Sequence, residues 1–272
     1  MADQDPSADA PAPVRIVLSG ATGRMGTTLA ALAAEDVGLA LVGGIGRVPE
    51  RGCDIGCVIV ETPETAGAWM HEADVVIDFS SPELLRRLLQ MHGEALAGRA
   101  LVVGTTGLTP DEQELMRAQA KRSAILQAAN FSVGVNLLLA LAEQAAAVLG
   151  DDYDVEIVEA HHRRKADAPS GTALALGEAV ARGRRVKLAD VRVDGRTGRG
   201  GERPRGEVAF HALRGGDIVG EHQVMLIGER ERVSLGHVAQ DRALFAEGAL
   251  RAARWIAGKE PGVYTMRDVL GL

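Results

Sequence analysis

Two cysteines, Cys53 and Cys57, are all that the 272 residues contain. They are too few for a disulfide framework and have no neighbouring Cys or His with which to hold zinc. Neither lies near the histidine pair at 161–162, where a nucleophile would be needed, so both are read as reduced and incidental. A basic excess is missing as well: 30 Lys and Arg against 37 Asp and Glu leave a net charge of −7, which argues against nucleic acid as a partner. No apolar run approaches a membrane span, so no membrane partner is expected. Residues 1–13 are acidic and rich in Ala and Pro. They lack the basic and apolar regions of a signal peptide, so they read as a disordered tail, and the protein is placed in the cytoplasm. No Gly-Lys-Ser/Thr follows a glycine loop, which removes a P-loop NTPase. No His-Glu-x-x-His occurs either, which leaves a metallohydrolase without support and no metal site in view.

The residues that are present suit an enzyme: 46% are apolar, enough for a core, and 25% are charged. The β-rich run Val14 to Ser19 leads into Gly20-Ala21-Thr22-Gly23-Arg24-Met25-Gly26 and then the helical pattern Leu29, Leu32, Ala33. This is strand, glycine turn, helix. Gly20 allows the tight turn, Gly23 lets the backbone approach a pyrophosphate, and Gly26 permits close helix packing. The spacing is G-x-x-G-x-x-G, not the commoner G-x-G-x-x-G, and an ordinary strand-to-helix turn is the competing reading. Its place after the first strand favours a dinucleotide.

Further buried strands are expected at Leu39 to Ile45, Val75 to Phe79, Leu101 to Gly104 and Ile125 to Ala128, alternating with helices near 24–35, 82–97 and 111–122. Alternation of this kind implies a parallel α/β sheet of the Rossmann type, with ligands at the carboxyl ends of its strands. Ser80 and Ser81, Gly104-Thr105-Thr106-Gly107 and Ala128-Ala129-Asn130-Phe131 then form a cofactor rim, although Thr106 and Asn130 could equally stabilise their turns. At the end of the second strand, where NADH-users often place an acid for the ribose hydroxyls, the sequence reads Gly43-Gly44-Ile45-Gly46-Arg47. Gly46 takes the acid's place and Arg47 follows, so NADPH is expected to serve at least as well as NADH, which is also accepted. Glu50 swinging in, or Arg47 only stacking on adenine, is the alternative.

Beyond Ser132 the pattern changes. A helix Gly134 to Leu149, a strand Tyr153 to Ala160 and a helix Ala173 to Ala181 precede strands at Glu207 to Leu213, Ile218 to Ile227 and Arg232 to Ala239, which short connections would make antiparallel. The expectation is an α+β substrate domain, 132–240, inserted into a dinucleotide-binding domain of 14–131 plus 241–272, with the active site in the cleft between them. The arginines from Arg182 to Arg205 read as a flexible solvated loop in preference to a nucleic-acid arm.

The segment Glu159 to Thr172 carries the chemistry. Asp167-Ala168-Pro169 breaks the strand and Ser170-Gly171-Thr172 opens an alanine-rich helix, whose first amides have no intrahelical partner and suit an anion such as a small carboxylate. Lys165 and the pair His161-His162 lie a few residues earlier, able to supply charge and protons to the same group. Against this, one histidine of such a pair could be structural, and Arg163-Arg164-Lys165 could be only a solvated loop.

Five segments together resemble the 4-hydroxy-tetrahydrodipicolinate reductase (dihydrodipicolinate reductase) family: Gly20 to Gly26, Gly104 to Gly107, Ala129-Asn130-Phe131-Ser132-Val133-Gly134-Val135-Asn136, Glu159 to Thr172, and Gly215-Gly216-Asp217-Ile218-Val219-Gly220-Glu221-His222. The likeness runs from Val14 to the closing Met266 to Leu270. It implies a step of lysine and diaminopimelate biosynthesis in which a nicotinamide cofactor reduces a cyclic dicarboxylate, and a homotetramer joined through the substrate domains. It also implies that His161 gives or takes a proton, that Lys165 donates one, that His162 and Ser170 bind substrate, and that Gly171 and Thr172 form the backbone clamp for a carboxylate. An imidazole with an ordinary pKa of about 6.5 suits the proton step, and an ammonium near about 10.4 starts charged. Two other classes stay open. One is another Rossmann oxidoreductase acting on an amino-acid precursor, such as an aspartate or semialdehyde dehydrogenase, although the semialdehyde version would need a catalytic cysteine that the sequence does not place. The other is a nucleotide sensor, which would need neither His161 nor Lys165.

Overall fold

The computed structural model describes residues 12–47, 54–56 and 58–272; Cys53, Cys57, Glu50 and all but the last two residues of the acidic tail lie outside them. The chain forms two compact units, one running to Phe131 and resuming at Phe245–Gly271, the other spanning Ser132–Leu244.

The first unit is built on strands β1 (Val14–Ser19), β2 (Leu39–Ile45), β3 (Asp54–Ile55), β4 (Val58–Glu61), β5 (Val75–Asp78), β6 (Ala100–Val103) and β7 (Ala124–Gln127), with helices α1 (Arg24–Ala34), α2 (Gly67–Glu72), α3 (Pro82–His92) and α4 (Pro110–Gln119) between them. Every residue of β5 and β6 is buried, as strands covered on both faces must be, and that is why they read as unbroken apolar runs. One face packs on α1 and on α8 (Ala243–Ile256) through Leu29, Ala33, Ala249 and Ala253; the other packs on α2 to α4 through Met70, Leu85, Leu88 and Met116. Local signals fix the helix starts. Ser81 Oγ accepts from Leu84 N ahead of Pro82, and Thr109 and Glu112 form a reciprocal capping box ahead of Pro110.

The strand order is β13-β7-β6-β5-β1-β2-β4-β3, where β13 (Gly262–Tyr264) pairs in parallel with β7, and only β3 runs antiparallel, on β4. The order reverses between β5 and β1. In open α/β sheets that switch point opens a crevice at the carboxyl ends of the strands.

The second unit carries α5 (Val133–Leu149), β8 (Asp154–His161), α6 (Gly171–Arg184), α7 (Leu188–Val191), β9 (Arg192–Asp194), β10 (Val208–Arg214), β11 (Gly220–Ile227) and β12 (Arg232–Ala239). Its sheet, in the order β12-β11-β8-β10-β9, is mixed and not antiparallel throughout. β11 runs antiparallel to β8 and β12, but β10 is parallel to both β8 and β9. The reason is the long crossover through α6 and α7, which brings the chain back in the starting direction before β10. Helices α5 and α6 close one face through Leu138, Ala142, Leu176 and Val180 against Val155, Ile157, Val208, Phe210, Val224 and Leu226.

Two sequence expectations are corrected here. The stretch from Arg182 to Arg205 is not a free loop. It contains α7 and β9, Arg196 bonds Glu156 (3.0 Å) and Glu207 (2.7 Å), and Arg203 bonds Glu156 (3.0 Å), Asp154 (2.5 Å) and the carbonyls of Val155 and Glu207. Arg196 and Arg203 thus tie the stretch to β8. Secondly, Val133–Asp152 is, by length and composition alone, apolar enough to cross a membrane. In the fold Leu138, Ala142 and Ala146 of that helix pack into the second core, and 22% of the apolar window is buried.

Candidate active site

Along β8 the residues Val155, Ile157 and Glu159 alternate onto the core face, so a carboxylate follows two apolar residues into the interior. The Glu159 side chain is fully buried. It accepts from Arg214 Nη2 (2.7 Å) and Ser170 N (3.0 Å) at Oε1, and from Arg214 Nη1 (2.8 Å) and His161 Nδ1 (2.6 Å) at Oε2. Burial alone would push this carboxyl up, but the Arg214 guanidinium and the His161 ring outweigh it and hold it below the ordinary range. An ionised carboxylate only accepts, so the His161 proton sits on Nδ1 and Nε2 is the ring's reactive nitrogen. Gly220 on β11 keeps that nitrogen clear: a Cβ there would lie 3.2 Å from His161 Nε2.

Arg214 also donates to the carbonyls of Lys165 (3.3 Å) and Asp167 (2.6 Å), which fastens the loop after β8. Within that loop Lys165 Nζ pairs with Asp167 Oδ2 at 2.8 Å. Ser170 is the N-cap of α6, its hydroxyl accepting from Ala173 N at 3.1 Å, so Gly171 and Thr172 form the first turn. His162, partly exposed, has a buried Nδ1 without a hydrogen-bond partner. Desolvation, then the cations Arg164 and Arg242, lower its pKa and keep the ring neutral. The expected residues His161, His162, Lys165, Ser170, Gly171 and Thr172 therefore cluster within one unit, around a Glu159–Arg214 pair that sequence reasoning did not single out. A carboxylate falling on the apolar phase of β8 was the available signal.

In the first unit a cavity of about 280 Å³ is lined by Gly20, Thr22, Gly23, Gly46 and Arg47, by Ser80 and Ser81 ahead of α3, and by Glu83 and Arg87 within it. Gly20 has φ +81°, and a Cβ on it would lie 2.5 Å from the Phe79 carbonyl oxygen; one on Gly26 would lie 2.3 Å from Gly20 O. Glycine is required at both for the turn to close. A Cβ on Gly46 would sit 3.0 Å from Thr22 Oγ1, so an acid at the end of β2 would need Thr22 to move.

Not all the expected cofactor residues line this cavity. Arg24 is exposed, Ala21 and Phe131 are buried in the core, and Met25 packs against it. Gly104 packs beneath the Phe79 ring, which lies 5.3 Å from Phe131. Thr105 is buried and donates to the buried Asp78 (2.5 Å), while Thr106, Ala129 and Gly107 are exposed at the strand ends, with Ala128 and Asn130 half-buried.

A glycine-lined pocket at the carboxyl ends of a switched parallel sheet, in a chain with a second α/β unit of mixed topology, defines a protein of the Rossmann dinucleotide-binding class. Within that class the chain belongs to the dihydrodipicolinate reductase family. Residues 14–131 match its N-terminal region and residues 134–270 its C-terminal region. The chain is 47% identical over 273 residues to the 4-hydroxy-tetrahydrodipicolinate reductase of Parvibaculum lavamentivorans, covering 96% of this chain and 99% of the relative. It is 48% identical to that of Anaeromyxobacter sp., covering 95% and 98%. Among solved structures, a dipicolinate-bound dihydrodipicolinate reductase from Paenisporosarcina sp. TG-14 superposes with TM-score 0.75 at 22% identity, over 93% of this chain and 97% of the other. An engineered D-amino acid dehydrogenase bound to NADP+ shares the fold more distantly, with TM-score 0.53 at 14% identity over 93% of each chain.

Proposed function

We propose that this chain reduces 4-hydroxy-tetrahydrodipicolinate to tetrahydrodipicolinate with NAD(P)H, a step of lysine and diaminopimelate biosynthesis. The observation that carries the reading is the Glu159-held His161, with Nε2 open, four residues before Lys165 and on the same unit as the Ser170 cap. The ring hydroxyl of the substrate leaves as water and gives a conjugated imine, which takes hydride at its distal carbon and a proton at the neighbouring one. When bound, the nicotinamide supplies that hydride. His161 handles the proton through Nε2. Lys165 offers a proton or balances developing negative charge, and His162, kept neutral, hydrogen-bonds the dicarboxylate. Ser170, Gly171 and Thr172 hold one carboxylate at the start of α6.

The dinucleotide belongs to the first unit, where Gly20, Gly23 and Gly46 leave a cradle that side chains would fill. Gly20 to Gly26 follow the pyrophosphate, and Gly104, Thr105, Thr106 and Ala128 to Phe131 the nicotinamide end. Arg47 pairs with a 2′-phosphate, which favours NADPH. Glu83 brings a carboxylate to the same cavity and can accept from the ribose hydroxyls of NADH, so that NADH is used too. The test is oxidation of each cofactor with substrate made in place from pyruvate and aspartate semialdehyde. Arg47→Ala is expected to raise the KM for NADPH by about tenfold, the worth of one charge-assisted contact, and to leave that for NADH unchanged. Equal effects on both would remove Arg47 from 2′-phosphate recognition, and no substrate-dependent oxidation by the wild type would sink the reaction itself.

The working form is a cytoplasmic homotetramer joined through the second unit. On that unit's sheet Leu213 and Val238 are 57% and 62% exposed around a hollow that also involves Val158 and Ala160, an apolar surface that favours association. Light scattering should return four times the chain mass; a monomer at micromolar concentration would refute it.

A further inference from the structure

We propose that His222 is a positioning residue for the proton step: it ties the Ser170 cap of α6 to the His161 imidazole, so that the proton-carrying ring and the carboxylate-binding helix start keep one geometry. This rests on His161 being the proton-transfer group. His222 lies on β11 directly opposite Glu159 of β8 in the antiparallel register. It also follows the core-facing phase of β11, in line with Val224 and Leu226, where an apolar residue would satisfy packing alone. Instead the imidazole makes two specific contacts. Its Nε2 is hydrogen-bonded to Ser170 Oγ at 3.0 Å, and its ring meets the His161 ring edge-on, with centroids 5.2 Å apart and planes at 75°.

These contacts close a circuit. Glu159 Oε2 holds His161 Nδ1, His161 packs on His222, His222 holds Ser170 Oγ, and Ser170 N returns to Glu159 Oε1. Two strands and a helix start are thereby tied around one carboxylate. In such a ring no member moves alone: a tilt of His161 about its bond to Glu159 is resisted by His222, and His222 is itself held by the cap. Gly220, two residues before His222, gives β11 the clearance to pass His161 Nε2 without covering it.

The circuit requires a neutral His222. Its Nδ1 is buried without a hydrogen-bond partner among the described residues, so a second ring proton would be a desolvated, unshared charge. The groups facing it are Glu159 and His161 on β8, His237 on β12 and Lys165 in the loop after β8; burial first, then His161, bring its pKa down to about 4 against the opposing pull of Glu159. His222 therefore keeps one protonation state near neutral pH.

The test compares His222→Phe, which keeps a flat ring and loses both nitrogens, with His222→Gln, whose amide reaches the place of Nε2 and can bond Ser170 again. In steady-state assays His222→Phe should lower kcat by about tenfold or more, the scale of a small misplacement of a catalytic group, while the KM for NADPH, bound on the other unit, stays within about twofold. His222→Gln should recover kcat to within about threefold of wild type. Wild-type kcat in His222→Phe would overturn the proposal, as would a folded His222→Gln enzyme as slow as the Phe variant. If His222→Phe fails to fold by circular dichroism, His222→Gln decides alone: near-wild-type kcat supports the circuit and a loss beyond about tenfold refutes it. Failure of the underlying reading looks different, since then the wild type shows no substrate-dependent oxidation or His161→Ala retains full turnover.

Discussion

His161→Ala is expected to lower kcat by a factor of about 10² to 10⁴, the range that a positioned acid or base contributes, with the KM for NADPH nearly unchanged. The geometry sets this expectation. Nδ1 is committed to Glu159 at 2.6 Å, so Nε2 alone can meet a substrate, and no second imidazole stands in for it. His222 is buried and neutral with Nε2 bonded to Ser170, and His162 is held neutral by desolvation and cations. Truncation at 161 leaves the Glu159–Arg214 pair and the Ser170 cap in place, so folding should change little. Stopped-flow and steady-state rates with NADPH, read beside a thermal melt, separate the two effects. Unchanged turnover would remove His161 from the mechanism, and a collapse of the melt would mean that the lost rate reports folding.

The sequence made the frame legible wherever periodicity was strong and glycines were few in meaning. Val14–Ser19, Leu39–Ile45 and Arg232–Ala239 are strands to the residue, because buried or alternating β-branched runs admit little else. What escaped is short or context-dependent. α2, α7 and α9 (Met266–Leu270) and the strands β3, β4, β9 and β13 are each six residues or fewer and are stabilised by what they pack on, which no local window contains. The parallel placement of β10 escaped for a different reason: strand direction depends on the route of the whole crossover. At the site, the histidines, lysine and helix start are local in sequence and were visible in a single segment. Arg214 and His222 come from other strands 55 and 52 residues from their partners Glu159 and Ser170, and only the register of β8 with β10 and β11 brings them there.

Glu159 is the residue whose removal should damage fold and rate together, and pH can separate the two. Glu159→Ala would strand the Arg214 guanidinium and the Ser170 amide without their acceptor, a loss of about 3 to 5 kcal/mol for breaking a buried pair from one side. Glu159→Gln keeps the volume but accepts at one end only, so Arg214 loses one of its two bonds together with that of Ser170 N or of His161, depending on which end carries the amide nitrogen. With the ring no longer held in its Nδ1–H form, turnover should fall by about 10² to 10⁴, as removal of the orienting carboxylate does in other carboxylate–histidine pairs. The Glu159 carboxyl is held below its ordinary value in the folded protein, chiefly because Arg214 and His161 outweigh the cost of burial. A depressed folded pKa contributes stability that is fully present above the unfolded value, about 4.3, and is lost as pH falls through the folded one. Gln does not titrate. The stability gap between wild type and Glu159→Gln, measured by urea unfolding, should therefore hold steady from about pH 7 to 5 and narrow below about 4.3. A gap that persists unchanged down to about pH 3 would show that the ionised carboxylate is not what holds the Arg214 and His161 side chains in place.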